Sequence, residues 1–155
     1  MKRPLRRAAS CAALALAAAA PLAARGAPAC AFGAANAFAF GSYDTFATAP
    51  LDGSSTITYQ CPPGQPIRIT LDAGSAGTFA SRAMRQGAEV LLYNLYLDAA
   101  RTVVWGDGTG GSSIGPGVTT RAGRTTTAWV FGRIPPGQDA VPGAYGDTIR
   151  VTFEL

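Results

Sequence analysis

The chain of 155 residues contains no histidine, its only lysine is Lys2, and charged residues make up 14% of it. Without histidine, Ser-His-Asp and Cys-His catalysis are excluded, as is imidazole ligation of zinc. Without a lysine beyond the second residue, a phosphate-binding loop that ends in Lys cannot be built. No window offers an amphipathic helix of normal length, there is no internal repeat, and no stretch is long enough to act as a linker between domains. Beyond the first two dozen residues, no apolar run is long enough to cross a bilayer.

The start of the chain is rich in what the rest lacks. Lys2, Arg3, Arg6 and Arg7 precede an Ala/Leu run at 8–20, and small residues follow Pro21. That order reads as a secretory signal over residues 1–24, with Leu22 and Ala24 at the small-residue positions before the cut. Cleavage after Ala27 or Ala29 is an alternative. Residues 25–155 then form a single domain of ordinary size with room for a core. Removing the four basic leader residues from the thirteen Lys plus Arg leaves nine Arg against nine Asp plus Glu. The formal charge of +4 therefore belongs to the leader, and a basic surface for nucleic acid or an anionic membrane has no support.

Cys11 leaves with the leader, which leaves Cys30 and Cys61 in a chain bound for an oxidising compartment. A disulfide between them is the expected reading, worth about 3 to 4 kcal/mol on the chain-entropy model. Two free thiols, or a lipidated Cys30 at the start of a lipoprotein, are the alternatives.

The remaining sequence has a period of two and is punctuated by Gly, Pro, Ser and Thr, the pattern of an all-β domain. In "DTIRVTFEL" Ile149, Val151, Phe153 and Leu155 share one face. "STITYQC" places Ile57, Tyr59 and Cys61 together, and "PIRITLD" does so with Ile67, Ile69 and Leu71, with Pro62-Pro63-Gly64 as the turn between. "EVLLYNLYLD" is apolar on both faces and predicts a strand covered on both sides. "TTTAWVFGRI" predicts another strand, 102–105 a short one, and Phe32, Phe38 and Phe40 a first strand interrupted near 33–36. About seven strands at these spacings suit a β-sandwich.

The spacing Gly106-x-Gly108-x-x-Gly111 formally matches a dinucleotide-binding fingerprint. Such a loop must open a helix, and Gly115-Pro116-Gly117 forbid one here, so no nucleotide is expected and the glycines read as a turn. Asp98 and Asp107 lack the alternating oxygen ligands of a calcium loop and read as turn residues. No cofactor and no metal are implied, and the chain is read as a non-enzyme. Trp105, Trp129, Tyr93 and Tyr96 are candidates for a sugar-binding platform, against core or cross-strand packing.

Several motifs, in order along the chain, carry a more specific signal: "FGSYD", "DGSSTITYQC", "ITLDAG", "RAMRQGAEVLLYNLYLDAARTVVWGDGTGG" and "VFGRIPPGQDAVPGAYGDTIRVTFEL". Together they resemble the spore coat protein U domain family, which includes the pilins of archaic, Csu-type chaperone-usher pili. The resemblance implies an immunoglobulin-like sandwich lacking its final strand. It implies a groove filled first by a periplasmic chaperone and then by the donor strand of another pilin subunit delivered through an outer-membrane usher. The expected groove lies beside the strand 147–155, at Ile149, Val151, Phe153 and Leu155, and the family's cysteine pair matches Cys30 and Cys61. Export through the periplasm to the cell surface or a fimbria follows. If the leader ends at Ala24, only "RGAPA" precedes Cys30, too short to donate a strand. That implies a distal or non-donating subunit. The alternatives are a self-contained spore or cell-surface coat protein of the same fold, or a carbohydrate-binding tip module.

Overall fold

The alternating apolar residues set the strands of the computed structural model, which describes residues 30–64, 66–115 and 124–154. The expected leader at 1–24, Pro116, Gly117 and Leu155 lie outside the described residues. Seven strands form: β1 (Ala31–Ala35), β2 (Leu51–Gln60), β3 (Arg68–Leu71), β4 (Arg82–Gln86), β5 (Glu89–Tyr96), β6 (Thr126–Ile134) and β7 (Val151–Glu154). One 3₁₀ turn, Gly74–Ala76, is the sole helical element among the described residues. Five strands make an antiparallel sheet in the order β1-β2-β6-β5-β4, and β3 pairs with β7 in a second sheet.

The period of two decides what lies between the sheets. Ile57, Tyr59 and Cys61, then Ile67, Ile69 and Leu71, and then Leu91, Tyr93 and Leu95 are all buried, with Val130, Ile134 and Trp105 in the same cluster. Each such side chain contributes about 1.5–3 kcal/mol by leaving water. Cys30 and Cys61 are joined by a disulfide that ties the start of β1 to the end of β2.

Four local expectations change. β5 is buried on one face only: Val90 and Leu92 are 36% and 41% exposed. It pairs with β6 only at Asn94, Leu95 and Tyr96, and at Leu92 the side-chain amide of Gln138 replaces a neighbouring strand, donating to the carbonyl and accepting from the N–H. The stretch 102–105 makes only isolated bridges, at Val104 and Trp105, because the Asp98 carboxylate takes the Thr102 and Val103 amides. The last strand is shorter than 147–155, since Arg150 donates its N–H to the Asp72 carboxylate and accepts from the Asp72 N–H before the ladder begins. In β1 the ladder continues through a bulge between Phe32 and Ala34 and stops at Ala35, so Phe38 and Phe40 lie beyond it.

Those two phenylalanines nevertheless have fixed places. Their rings, 4.6 Å apart, lie against the backbone of Gly132 on β6, and Phe38 also meets Gly53 on β2; a Cβ at Gly132 would collide with both rings. Two glycines facing each other across the β2–β6 ladder make the notch that lets this segment cross the sheet.

Candidate strand-acceptor cleft

β1 pairs only with β2 and β7 only with β3, so the first and last strands are both sheet edges. Between them runs a cleft of about 390 Å³. One wall is formed by Ala35 to Phe38 and by Phe40, the other by residues 145–149 and Val151, and the floor by Ile57, Leu71, Leu95 and Val130. Phe38, Phe40, Met84 and Tyr145 continue it into a wider opening of about 750 Å³, flanked by Phe46 and Val141. Phe46 is 92% exposed. A deep apolar floor between two edges with unpaired backbone groups is a template for an added strand.

Asp147 is the one charged residue lining the narrower cleft, and its carboxylate is already engaged. It accepts hydrogen bonds from the Tyr93 hydroxyl at 2.8 Å and from the N–H groups of Ser75 and Thr148. Burial, and then this carboxylate, push the Tyr93 hydroxyl well above its ordinary range, so it stays a neutral donor. The cleft therefore presents apolar side chains and offers no nucleophile or free acid.

Of the expected groove residues, Ile149 and Val151 line the cleft. Phe153 stands at its end, with its ring centroid 5.4 Å from that of Phe32 on β1 and 5.6 Å from that of Tyr59 on β2. Leu155 lies outside the described residues. The opposite wall, Ala35 to Phe40, escapes a reading by periodicity because it is not a strand; its signal is the pair of glycines, Gly53 and Gly132, that admits the two rings.

The longest family-like motif sits on the other side of the sandwich, where its polar residues satisfy one another. The guanidinium of Arg82 is fully buried and has no carboxylate partner; it donates to the Asp72 and Trp105 carbonyls and to Asn94 Oδ1 at 2.7–3.0 Å. Burial lowers its pKa from the ordinary arginine value. Asn94 passes the network to the Phe79 carbonyl, and Trp105 Nε1 donates to the Ile69 carbonyl. The glycine loop closes on itself: the Asp107 carboxylate accepts from the N–H and hydroxyl of Thr109, and Ser112 Oγ accepts from the Gly108 N–H and donates to the Thr109 carbonyl. These hydrogen bonds hold Asp107 below the usual carboxylate range, Thr109 first among them. Asp98 is lowered in the same way by Val103 and Thr102. Both aspartates thus serve turns, and among the described residues there is no group of three or more His, Cys, Asp or Glu able to hold a metal ion.

The four aromatic platform candidates separate. Trp105 and Tyr93 are core, 1% and 4% exposed, whereas Trp129 is 55% exposed on the outer face of β6 and Tyr96 is half-buried on β5.

An antiparallel two-sheet sandwich with bare first and last edges on either side of an apolar cleft is an immunoglobulin-like, pilin-type fold. The Spore Coat Protein U domain model matches residues 15–152, and the chain belongs to that family. It is 33% identical to Protein U of Myxococcus xanthus over 113 residues, covering 66% of this chain and 60% of that protein. Its structure is similar to a chain of the CsuC–CsuE chaperone–tip adhesion subunit pre-assembly complex from the archaic chaperone-usher Csu pili of Acinetobacter baumannii. The TM-score is 0.57 and the identity 23%, over 83% of this chain and 40% of that one.

Proposed function

We propose that this chain is a non-enzymatic structural subunit of an archaic chaperone-usher pilus, which accepts a β-strand in the cleft between residues 35–40 and 145–151. The observation that carries this is the cleft itself, apolar in floor and walls and bordered by two edge strands. An extended segment laid there satisfies backbone groups through its own backbone and seats alternate side chains on Ile57, Leu71, Leu95 and Val130. A periplasmic chaperone supplies the first occupant and a neighbouring pilin subunit the second, with an outer-membrane usher exchanging them. The similarity to a chain of a chaperone–subunit complex supports the fold that this mechanism requires. The chain passes through the periplasm and ends at the cell surface. With a leader cut after Ala24, it receives a strand without donating one, the behaviour of a distal subunit; sequencing the mature N-terminus tests that part.

A second reading, a self-contained coat protein, draws on the contact of Phe153 with Phe32 and Tyr59, which closes one end of the cleft without a partner. Expression with and without the periplasmic chaperone encoded beside this chain separates the two. A pilus subunit accumulates as a stable one-to-one complex and is degraded or aggregated alone; a coat protein accumulates equally well in both cases.

A further inference from the structure

The face of the large sheet turned away from the cleft carries a feature that strand complementation does not use. Trp129 and Phe131, two residues apart on β6, point outward with nearly coplanar rings, 18° between planes and 6.4 Å between centroids. Trp129 is more than half exposed, which costs apolar hydration in a chain that buries its other tryptophan almost completely. The Phe131 ring is held from the side by the Arg101 guanidinium, 5.9 Å from its centroid, and Arg101 is itself fixed by the carbonyls of Gly132 and Ala99. Further along the strand Arg133 makes a two-pronged hydrogen-bonded pair with Asp52 at 2.7 and 2.9 Å, one-third exposed on each side. Across the ladder, Ser54 stands opposite Phe131 and Tyr96 flanks it on β5.

We infer that this shelf binds an extended β-linked polysaccharide, with successive pyranose rings lying flat on Trp129 and Phe131 and their hydroxyls meeting the Asp52–Arg133 pair. Three observations choose this occupant. Two rings offer far less than the roughly 800 Å² per side that a specific protein interface buries, so a second protein chain is a poor fit. Coplanar rings at consecutive outward positions match a flat ribbon of sugars, whose C–H faces repeat, better than a branched or globular ligand. Beside the rings stand a partly exposed carboxylate and guanidinium, the groups that hydrogen-bond hydroxyls, in place of an aliphatic rim. The shelf lies on the sheet face opposite the cleft, so a strand in the cleft and a polysaccharide on the shelf do not compete, and the inference stands whether or not the pilus reading does.

The test uses the full chain, alone or with its chaperone, titrated with cellohexaose and chitohexaose and mixed with insoluble cellulose and chitin. Tryptophan emission should change on binding, and Trp129→Ala should weaken binding by roughly tenfold or more, the scale of a lost aromatic stack. Phe131→Ala should weaken it less, and Trp129→Tyr should retain most of it. Trp105→Phe should leave the fluorescence response intact, because Trp105 is buried away from this face. Circular dichroism of Trp129→Ala, expected to match that of the parent, removes misfolding as a cause. Failure of either oligosaccharide or either solid to bind, or binding unchanged in Trp129→Ala, overturns the inference. Loss of self-association in Trp129→Ala without any saccharide effect overturns it too, in favour of a protein contact.

Discussion

Two sides of the sandwich treat their polar and apolar groups in opposite ways. Around Arg82, donors and acceptors close on one another: a buried guanidinium, Asn94, the Trp105 indole and two aspartate-capped turns use up their hydrogen bonds within the chain. Between β1 and β7 the apolar core reaches the surface and two strand edges stay bare. The first side makes a rigid frame and the second is left for another molecule. The contrast also explains why the glycine loop is not a phosphate cradle, since its hydroxyls and carboxylate serve its own turn.

The largest expected effect breaks the frame. Arg82→Ala strands two carbonyls and an amide oxygen in the interior, at about 1–3 kcal/mol each, and should cost about 4 kcal/mol or more. Urea denaturation, with the chaperone absent and present, should show that a cleft partner does not restore the loss. Next, the double change Cys30→Ser and Cys61→Ser releases the anchor of β1 and should cost about 3 to 4 kcal/mol, read in the same titration against the parent under oxidising conditions. Val151→Arg sharpens the contrast. The residue is half-buried, so the chain alone should lose about 1 kcal/mol or less. An unpaired charge beneath an incoming strand should nevertheless abolish recovery of the chaperone complex in a pull-down.

The smallest effect is electrostatic. The Arg133 hydrogen bond, aided by Arg101, holds the pKa of Asp52 below the ordinary carboxylate value of 3.8 despite partial burial. A depressed folded-state pKa means stability that is present above the ordinary value and lost as pH falls through the lower, folded one. Asp52→Asn should thus cost about 1 kcal/mol or less at neutral pH and nothing in strong acid, so the two melting curves should converge below about pH 4.

Much of the frame was legible in the residues. Period-two alternation marks Ile57, Tyr59 and Cys61, or Ile67, Ile69 and Leu71, as inward because burying one face is what holds a two-sheet protein together. An even pair of cysteines behind an export leader marks the disulfide. Val90 and Leu92 were misplaced because apolarity reports affinity for a core without saying whether a second layer covers that face. Gln138 acting in place of a strand at Leu92, and Arg82 buried without a counter-ion, depend on partners distant in sequence and leave no local pattern. For the cleft, Ile149 and Val151 could be read from alternation in the last strand. The facing wall could not, since Phe38 and Phe40 are placed by Gly53 and Gly132, whose role appears only when β2 lies beside β6.

The central claim is that the β7 edge awaits a strand. Amide hydrogen exchange of residues 149–154 tests it most directly, measured on the chain alone and in complex with its periplasmic chaperone. The amides that do not pair with β3 should exchange fast in the free chain and slow by roughly tenfold or more in the complex, while those around Arg82 and Trp105 stay protected in both. Protection of the β7 edge in the free chain, unchanged when the chaperone is added, would contradict the account.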